Sequence, residues 1–117
     1  MEDLREFAKN LEILKEDIHQ NAIKHGWYDE PIAFGELIAL CHSELSEALE
    51  DFRNNRKIKK IWLDEKGKPC GVPTELADLI IRVLDLCGHY DIDIGEAVIK
   101  KYEYNKSRPY RHGKKII

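Results

Sequence analysis

The chain has 117 residues, 43% hydrophobic and 35% charged, which suits one soluble domain with its own core. A formal net charge of −3 gives no global attraction to nucleic acid. No apolar run approaches a membrane span and the N-terminus lacks a signal-peptide profile, so a cytoplasmic protein with no nucleic-acid or membrane partner is expected.

The first helix is expected from about residue 3 to 24, where Leu4, Phe7, Leu11, Leu14, Ile18 and Ala22 recur at helical spacing. Gly26 stops it, and residues 27–31 connect. The second helix runs from about 32 to 54 on a stripe of Phe34, Leu37, Ile38, Cys41, Leu45, Ala48, Leu49 and Phe52. Residues 56–72 have no helical period and read as a loop or short hairpin turning at Lys66-Gly67. The third helix starts near Pro73, carries Leu76, Leu79, Ile80, Val83 and Cys87, and ends at Gly88. The fourth follows Asp91, spans about 93–106, and leads into a basic tail over 107–117. The expected fold is all-α, one domain of four helices with a hairpin or loop inserted between the second and third. Cys41, Cys70 and Cys87 are odd in number and form no C-x-x-C, which reads as reduced thiols.

Two acidic motifs stand out, Glu44-Leu45-Ser46-Glu47 and Glu75-Leu76-Ala77-Asp78. Each sets two carboxylates three residues apart, on neighbouring lines of one helix face. At about 100° per residue, both pairs hold the same angles from their neighbouring leucines, so they flank their core stripes in the same sense. Such helices sharing a core would aim four acids at one cleft. At about 5 Å and an effective dielectric of about 20, each like-charge pair costs about 3 kcal/mol. Either the two faces point apart into solvent, or a cation sits between them. Carboxylate oxygens with no accompanying histidine or cysteine suit magnesium or manganese, and magnesium bound in this way serves phosphate chemistry. A di-iron carboxylate site needs Glu-x-x-His on two helices, and only Glu16 to His19 fits.

Cations and rings offer the rest of a nucleotide site. Lys101, Lys106, Arg108, Arg111, Lys114 and Lys115 could neutralise a triphosphate, or simply form a frayed basic end. Asn105 precedes this cluster and could bind a phosphate. His19 and Trp27 are candidates for base contacts, against the alternatives of an exposed polar edge for His19 and a core or interface ring for Trp27.

The paired motifs, separated by the 27 residues 48–74, resemble the signature of the MazG-like all-α nucleoside triphosphate pyrophosphohydrolases. His25-Gly26-Trp27 and the stretches 37–49, 75–82 and 105–115 add to the likeness, which leaves out residues 55–72. The resemblance implies hydrolysis at the α-phosphorus of a nucleoside triphosphate, giving monophosphate and pyrophosphate, in nucleotide-pool housecleaning. Carried over by position, Glu44, Glu47, Glu75 and Asp78 hold Mg2+, with Mn2+ a possible substitute, and Glu44 and Glu47 are the catalytic carboxylates. His19, Trp27, Arg82, Lys101, Asn105 and Arg108 are the implied substrate contacts, and the subunits form a homodimer or homotetramer. The other reading is a non-catalytic helical interaction or regulatory module with a structural metal.

Overall fold

The structure, a computed structural model, describes residues 2–111, with side chains from residue 4 onward. Lys114 and Lys115, expected among the basic tail, lie outside the described residues. The fold is all-α. Its elements are α1 (Glu2–Lys24), α2 (Phe34–Asn55), β1 (Trp62–Leu63), β2 (Pro69–Cys70), α3 (Val72–His89) and α4 (Ile94–Ser107). Among the described residues, no helix is long and apolar enough to cross a membrane.

Local chemistry sets most boundaries. The chain leaves α1 through Gly26 at φ 83. Arg56, in the left-handed region, closes α2 with its N–H on the Phe52 carbonyl. β1 and β2 pair antiparallel, Trp62 opposite Cys70, around a turn in which Gly67 takes φ 81. Pro73 sits in the first turn of α3, where its missing N–H costs nothing. The cap of α4 is Asp93, whose carboxylate accepts the N–H of Glu96 at 3.0 Å. Asp91, expected to lead into that helix, instead occupies the left-handed turn after α3 at φ 54.

Gly88 falls in the last turn of α3, one residue before its end at His89. It lies inside the helix, and a Cβ there would stand 2.6 Å from the Cβ of His19. The glycine therefore marks a close approach of α1 to α3, and packing overrides its poor helix propensity.

The helices pack in the order α2–α3–α1–α4, with α3 and α1 as the central pair. The core is Leu37 and Cys41 from α2 with Leu86 and Cys87 from α3, flanked by Ile32, Ile38, Leu79, Val83 and Ile94. All three cysteines are free thiols. A buried ion pair fixes α4 onto α1: Lys15 Nζ donates to Glu12 Oε1 at 2.5 Å and to the Ile92 carbonyl at 3.0 Å. Glu12 Oε2 accepts the N–H of Gly95 at 3.2 Å.

The expected stripe of α2 is buried at Leu37, Cys41 and Ala48 but not throughout. Leu45, Leu49 and Phe52 are 46%, 57% and 41% exposed, whereas Glu44 is 8% exposed. The face that turns inward halfway along α2 is the acidic one. On α3, Leu76 and Ile80 are exposed in the same way. The accessible surface, 9164 Å2, exceeds by about 2,500 Å2 the value of about 6,600 Å2 typical of a monomer of this mass. The radius of gyration is 16.9 Å against about 13 Å for a compact chain of this length.

Gly88→Ala should therefore destabilise the protein. Ordinary helix propensity favours alanine by about 1 kcal/mol, but overpacking against His19 costs about 1–3 kcal/mol and should win. A thermal melt checks this, with a Tm drop of a few degrees expected; a Tm rise would mean that His19 moves aside freely.

Candidate functional site

The two acidic motifs meet. Carboxylate oxygens of Glu44 on α2 and of Glu75 and Asp78 on α3 all lie within 4.8 Å of one another. The matched placement of the motifs beside Leu45 and Leu76 brings this about, because the α2–α3 core tethers both helices just beyond the acids. Arg82, one turn after Asp78, reaches across to Glu44, with Nε 3.3 Å from Oε1. It is the sole cation in an ion pair with the three acids among the described residues.

One guanidinium does not balance three carboxylates, and the protonation equilibria show it. Burial, then the charges of Glu44, Asp78, Asp51 and Glu47, push Glu75 above its ordinary pKa. Burial and the charge of Glu44 likewise raise Asp78, further helped by a hydrogen bond between the two carboxyls, while Arg82 and Lys68 oppose the shift. Glu47 is exposed on the rim, outside the tight set but close enough to act on Glu75. Hard oxygen donors crowded in this way fit a magnesium or manganese ion.

From Glu44 and Asp78 a cleft of ≈ 520 Å³ runs between α1, α2 and α3, within the range of small-molecule sites. Arg82 and Ile81 form one wall, Leu37 and Leu40 another, and Trp27 and Tyr28 the far end. Trp27 is 65% exposed, so much of its ring is free to stack on a ligand.

Behind that end lies a polar knot. Asp85 accepts from His19 Nδ1 at 2.9 Å through one oxygen and from the Tyr28 hydroxyl at 2.9 Å through the other. The His19 ring meets Tyr28 edge-on at 4.9 Å, and His89 stacks on Tyr28 at 4.4 Å. Burial, then the hydrogen bond to Asp85, push the Tyr28 phenol far above its usual pKa, so it remains a donor. The knot bolts the 25–33 turn, and with it Trp27, to α1 and α3.

Of the expected site residues, Glu44, Asp78, Arg82 and Trp27 line the cleft, Glu75 completes the acid cluster and Glu47 stands at its edge. His19 is neither an exposed edge nor part of the cleft lining. It is 7% exposed and held from behind by Asp85. Lys101 and Asn105 line a separate groove on α4 with Ile94, Ala97, Val98 and Tyr102. Arg108 caps α4 and lies over the Tyr104 ring at 5.6 Å. Within one chain these three are not brought to the acids, because α4 docks on the flank of α1.

Tyr28 and Asp85 were not anticipated. A signal existed for Asp85: Asp78, Arg82 and Asp85 follow at i, i+4 and i+7, a polar line running along one face of an otherwise apolar helix. Comparison with family models, curated proteins and solved structures gives no match to this chain.

The raised acids set a pH dependence. In the metal-free protein Glu75 and Asp78 bind protons more tightly folded than unfolded. Their contribution favours folding below the ordinary carboxylate range and is lost as pH rises through the raised values. Glu75→Gln/Asp78→Asn should therefore melt higher than the parent at about pH 7 without metal. Mn2+ should raise the Tm of the parent only, and that rise should fade towards about pH 5. Melts with and without Mn2+ across this range test both; a metal-free double variant melting lower than the parent would count against mutual repulsion.

Proposed function

We propose that the chain is a magnesium-dependent nucleoside triphosphate pyrophosphohydrolase of the MazG-like kind, a cytoplasmic housecleaning enzyme of the nucleotide pool. The supporting observation is the meeting of Glu44, Glu75 and Asp78 at one end of a cleft that offers the Trp27 ring at the other. Glu44, Glu75 and Asp78 would hold Mg2+, or Mn2+ in its place, with Glu47 beside them. Magnesium bound there would neutralise phosphate charge and lower the pKa of a bound water.

The chain's own groups do the rest. Trp27 stacks on the base, and the Asp85 knot holds it in place. Arg82 spans the cleft near the α-phosphate. Glu47, outside the crowded set, accepts a proton from the attacking water. A new oxygen bond forms at the α-phosphorus, and the bond from that phosphorus to the bridging oxygen breaks. The bridging oxygen keeps the electron pair and leaves as part of pyrophosphate.

Glu47→Gln should lower pyrophosphate release from a nucleoside triphosphate by about 100-fold or more, with an unchanged melt. A panel of triphosphates with Mg2+, scored for pyrophosphate against orthophosphate, measures it. Unaltered turnover in the variant would remove the mechanism. Chelation separates this reading from a structural metal site, in which helix content is lost together with the metal.

The same reading includes a homodimer or homotetramer. Leu45, Leu49 and Phe52 on α2 continue into Leu76 and Ile80 on α3 as exposed apolar positions beside the acids. The surplus of about 2,500 Å2 matches what one subunit of an intimate oligomer leaves uncovered. Light scattering should find a dimer or tetramer in the parent, and Leu49→Glu/Phe52→Glu should shift it to monomer; a monomeric parent would refute the assembly.

A further inference from the structure

The segment between α2 and α3 holds the densest positive charge of the chain. From Arg53 to Lys68 seven cations face two acids, Asp64 and Glu65, in a protein whose net charge is −3. Asp64 is occupied within the hairpin, where Oδ1 accepts the backbone N–H groups of Lys66 at 2.8 Å and Lys68 at 2.9 Å. Among the described residues, Lys57, Lys59, Lys60, Lys66 and Lys68 enter no ion pair. Five lysines so close together repel one another, and among the described residues no ion pair offsets that.

Their position is specific. β2 runs directly into α3 through Gly71, whose φ of 122 takes the chain sharply round. A Cβ on Gly71 would stand within van der Waals overlap of the Lys60 carbonyl oxygen. Lys60 and Lys68 therefore both sit at the head of α3.

Along α3 the order of features is fixed by the helix rise. Asp85, at the Trp27 end of the cleft, lies about 10 Å along the axis from Asp78, and Asp78 about 10 Å from Gly71. The acids thus lie between an aromatic end and a basic end. A nucleoside triphosphate is linear. With its base at Trp27 and its α-phosphate at the acids, its β- and γ-phosphates extend towards the lysines. The cleft has no comparable supply, since Arg82 is engaged by Glu44 and Lys24 is the other cation lining it.

We propose that Lys60, just before β1, and Lys68, in the turn between β1 and β2, form a pyrophosphate subsite, holding the β- and γ-phosphates of the substrate and then the departing pyrophosphate. The substrate assignment rests on the pyrophosphohydrolase reading, but the subsite can be tested with inorganic pyrophosphate alone. The two ammonium groups would balance charge appearing on the bridging oxygen as its bond to the α-phosphorus breaks.

The experiment is calorimetric titration of inorganic pyrophosphate, with Mg2+, into the full chain, Lys60→Gln/Lys68→Gln, Lys68→Arg and a charge-matched control, Lys9→Gln/Lys100→Gln, on α1 and α4. The hairpin pair should bind about tenfold more weakly or worse, while Lys68→Arg and the control stay near the parent. Mn2+ should still bind all four proteins, since Glu44, Glu75 and Asp78 are untouched. Equal pyrophosphate affinity in the parent and the hairpin pair would overturn the subsite, as would an equal loss in the control. So would a parent that binds a single-stranded oligonucleotide through these lysines and pyrophosphate not at all. Turnover separates the two proposals. A parent that hydrolyses no triphosphate, yet binds pyrophosphate through Lys60 and Lys68, keeps the subsite and loses the hydrolase. Hydrolysis with an unchanged KM in the hairpin pair keeps the hydrolase and loses the subsite.

Discussion

Three carboxylates held against one another at the floor of a cleft are the constraint to which the rest of the molecule answers. At separations of up to 4.8 Å and an effective dielectric of about 20, each ionised pair opposes folding by about 3 kcal/mol. Stabilities of small domains are about 5–15 kcal/mol, so three such pairs would remove most of the margin. The core here is thin, with no large side chain fully buried among the described residues, and it cannot absorb that repulsion. Arg82 relieves one oxygen. The remainder is met by protons, which is why Glu75 and Asp78 titrate high, or by a divalent cation. Packing forces the meeting: Leu37 and Cys41 against Leu86 and Cys87 bring the helices together whether or not the acids gain by it.

Helix α3 presents a second carboxylate, Asp85, in the opposite state. Both of its oxygens are engaged, one by His19 and one by Tyr28, and it supports the turn that carries Trp27. A buried charge with its lone pairs satisfied rigidifies its surroundings, and a buried charge without partners invites a ligand. Seven residues separate Asp78 from Asp85, and that difference in satisfaction divides one helix face into a binding floor and a fixed wall. Any ligand stacked on Trp27 would gain from this rigidity, since the ring need not be ordered anew each time.

Much of this was legible in the residues. The four helices follow from apolar spacing, the hairpin from Lys66-Gly67, and the acid convergence from the matched angles of two motifs. The failures have physical causes. Periodicity identifies an apolar stripe but not what covers it, so Leu45, Leu49 and Phe52 read as core although the chain itself leaves them open. The end of α3 at Gly88 reads correctly to within a residue, but the His19 contact that requires a glycine there comes from 69 residues away in sequence and leaves no local trace. Lys101 and Asn105 depended on where α4 docks, and that is set by the Lys15–Glu12 pair and by Gly95 pressed on Ala8, neither of which leaves a periodic trace. Asp85 was visible as the third member of a polar line and needed only to be counted with Asp78 and Arg82.

The charge distribution along α3 explains why the lysines lie on an arm and not among the acids. The helix macrodipole favours Glu75 in the first turn, but by only about 0.3–1 kcal/mol, well short of the repulsion it faces. A lysine built into the cleft floor would pair with the carboxylates permanently and compete with a metal ion for their oxygens. Lysines on an exposed hairpin are screened over about 8 Å at physiological ionic strength, so they leave most of the acidic field intact. Seating the acids along α3 and the lysines on the segment before it leaves the two charge sets adjacent, with no ion pair between them among the described residues.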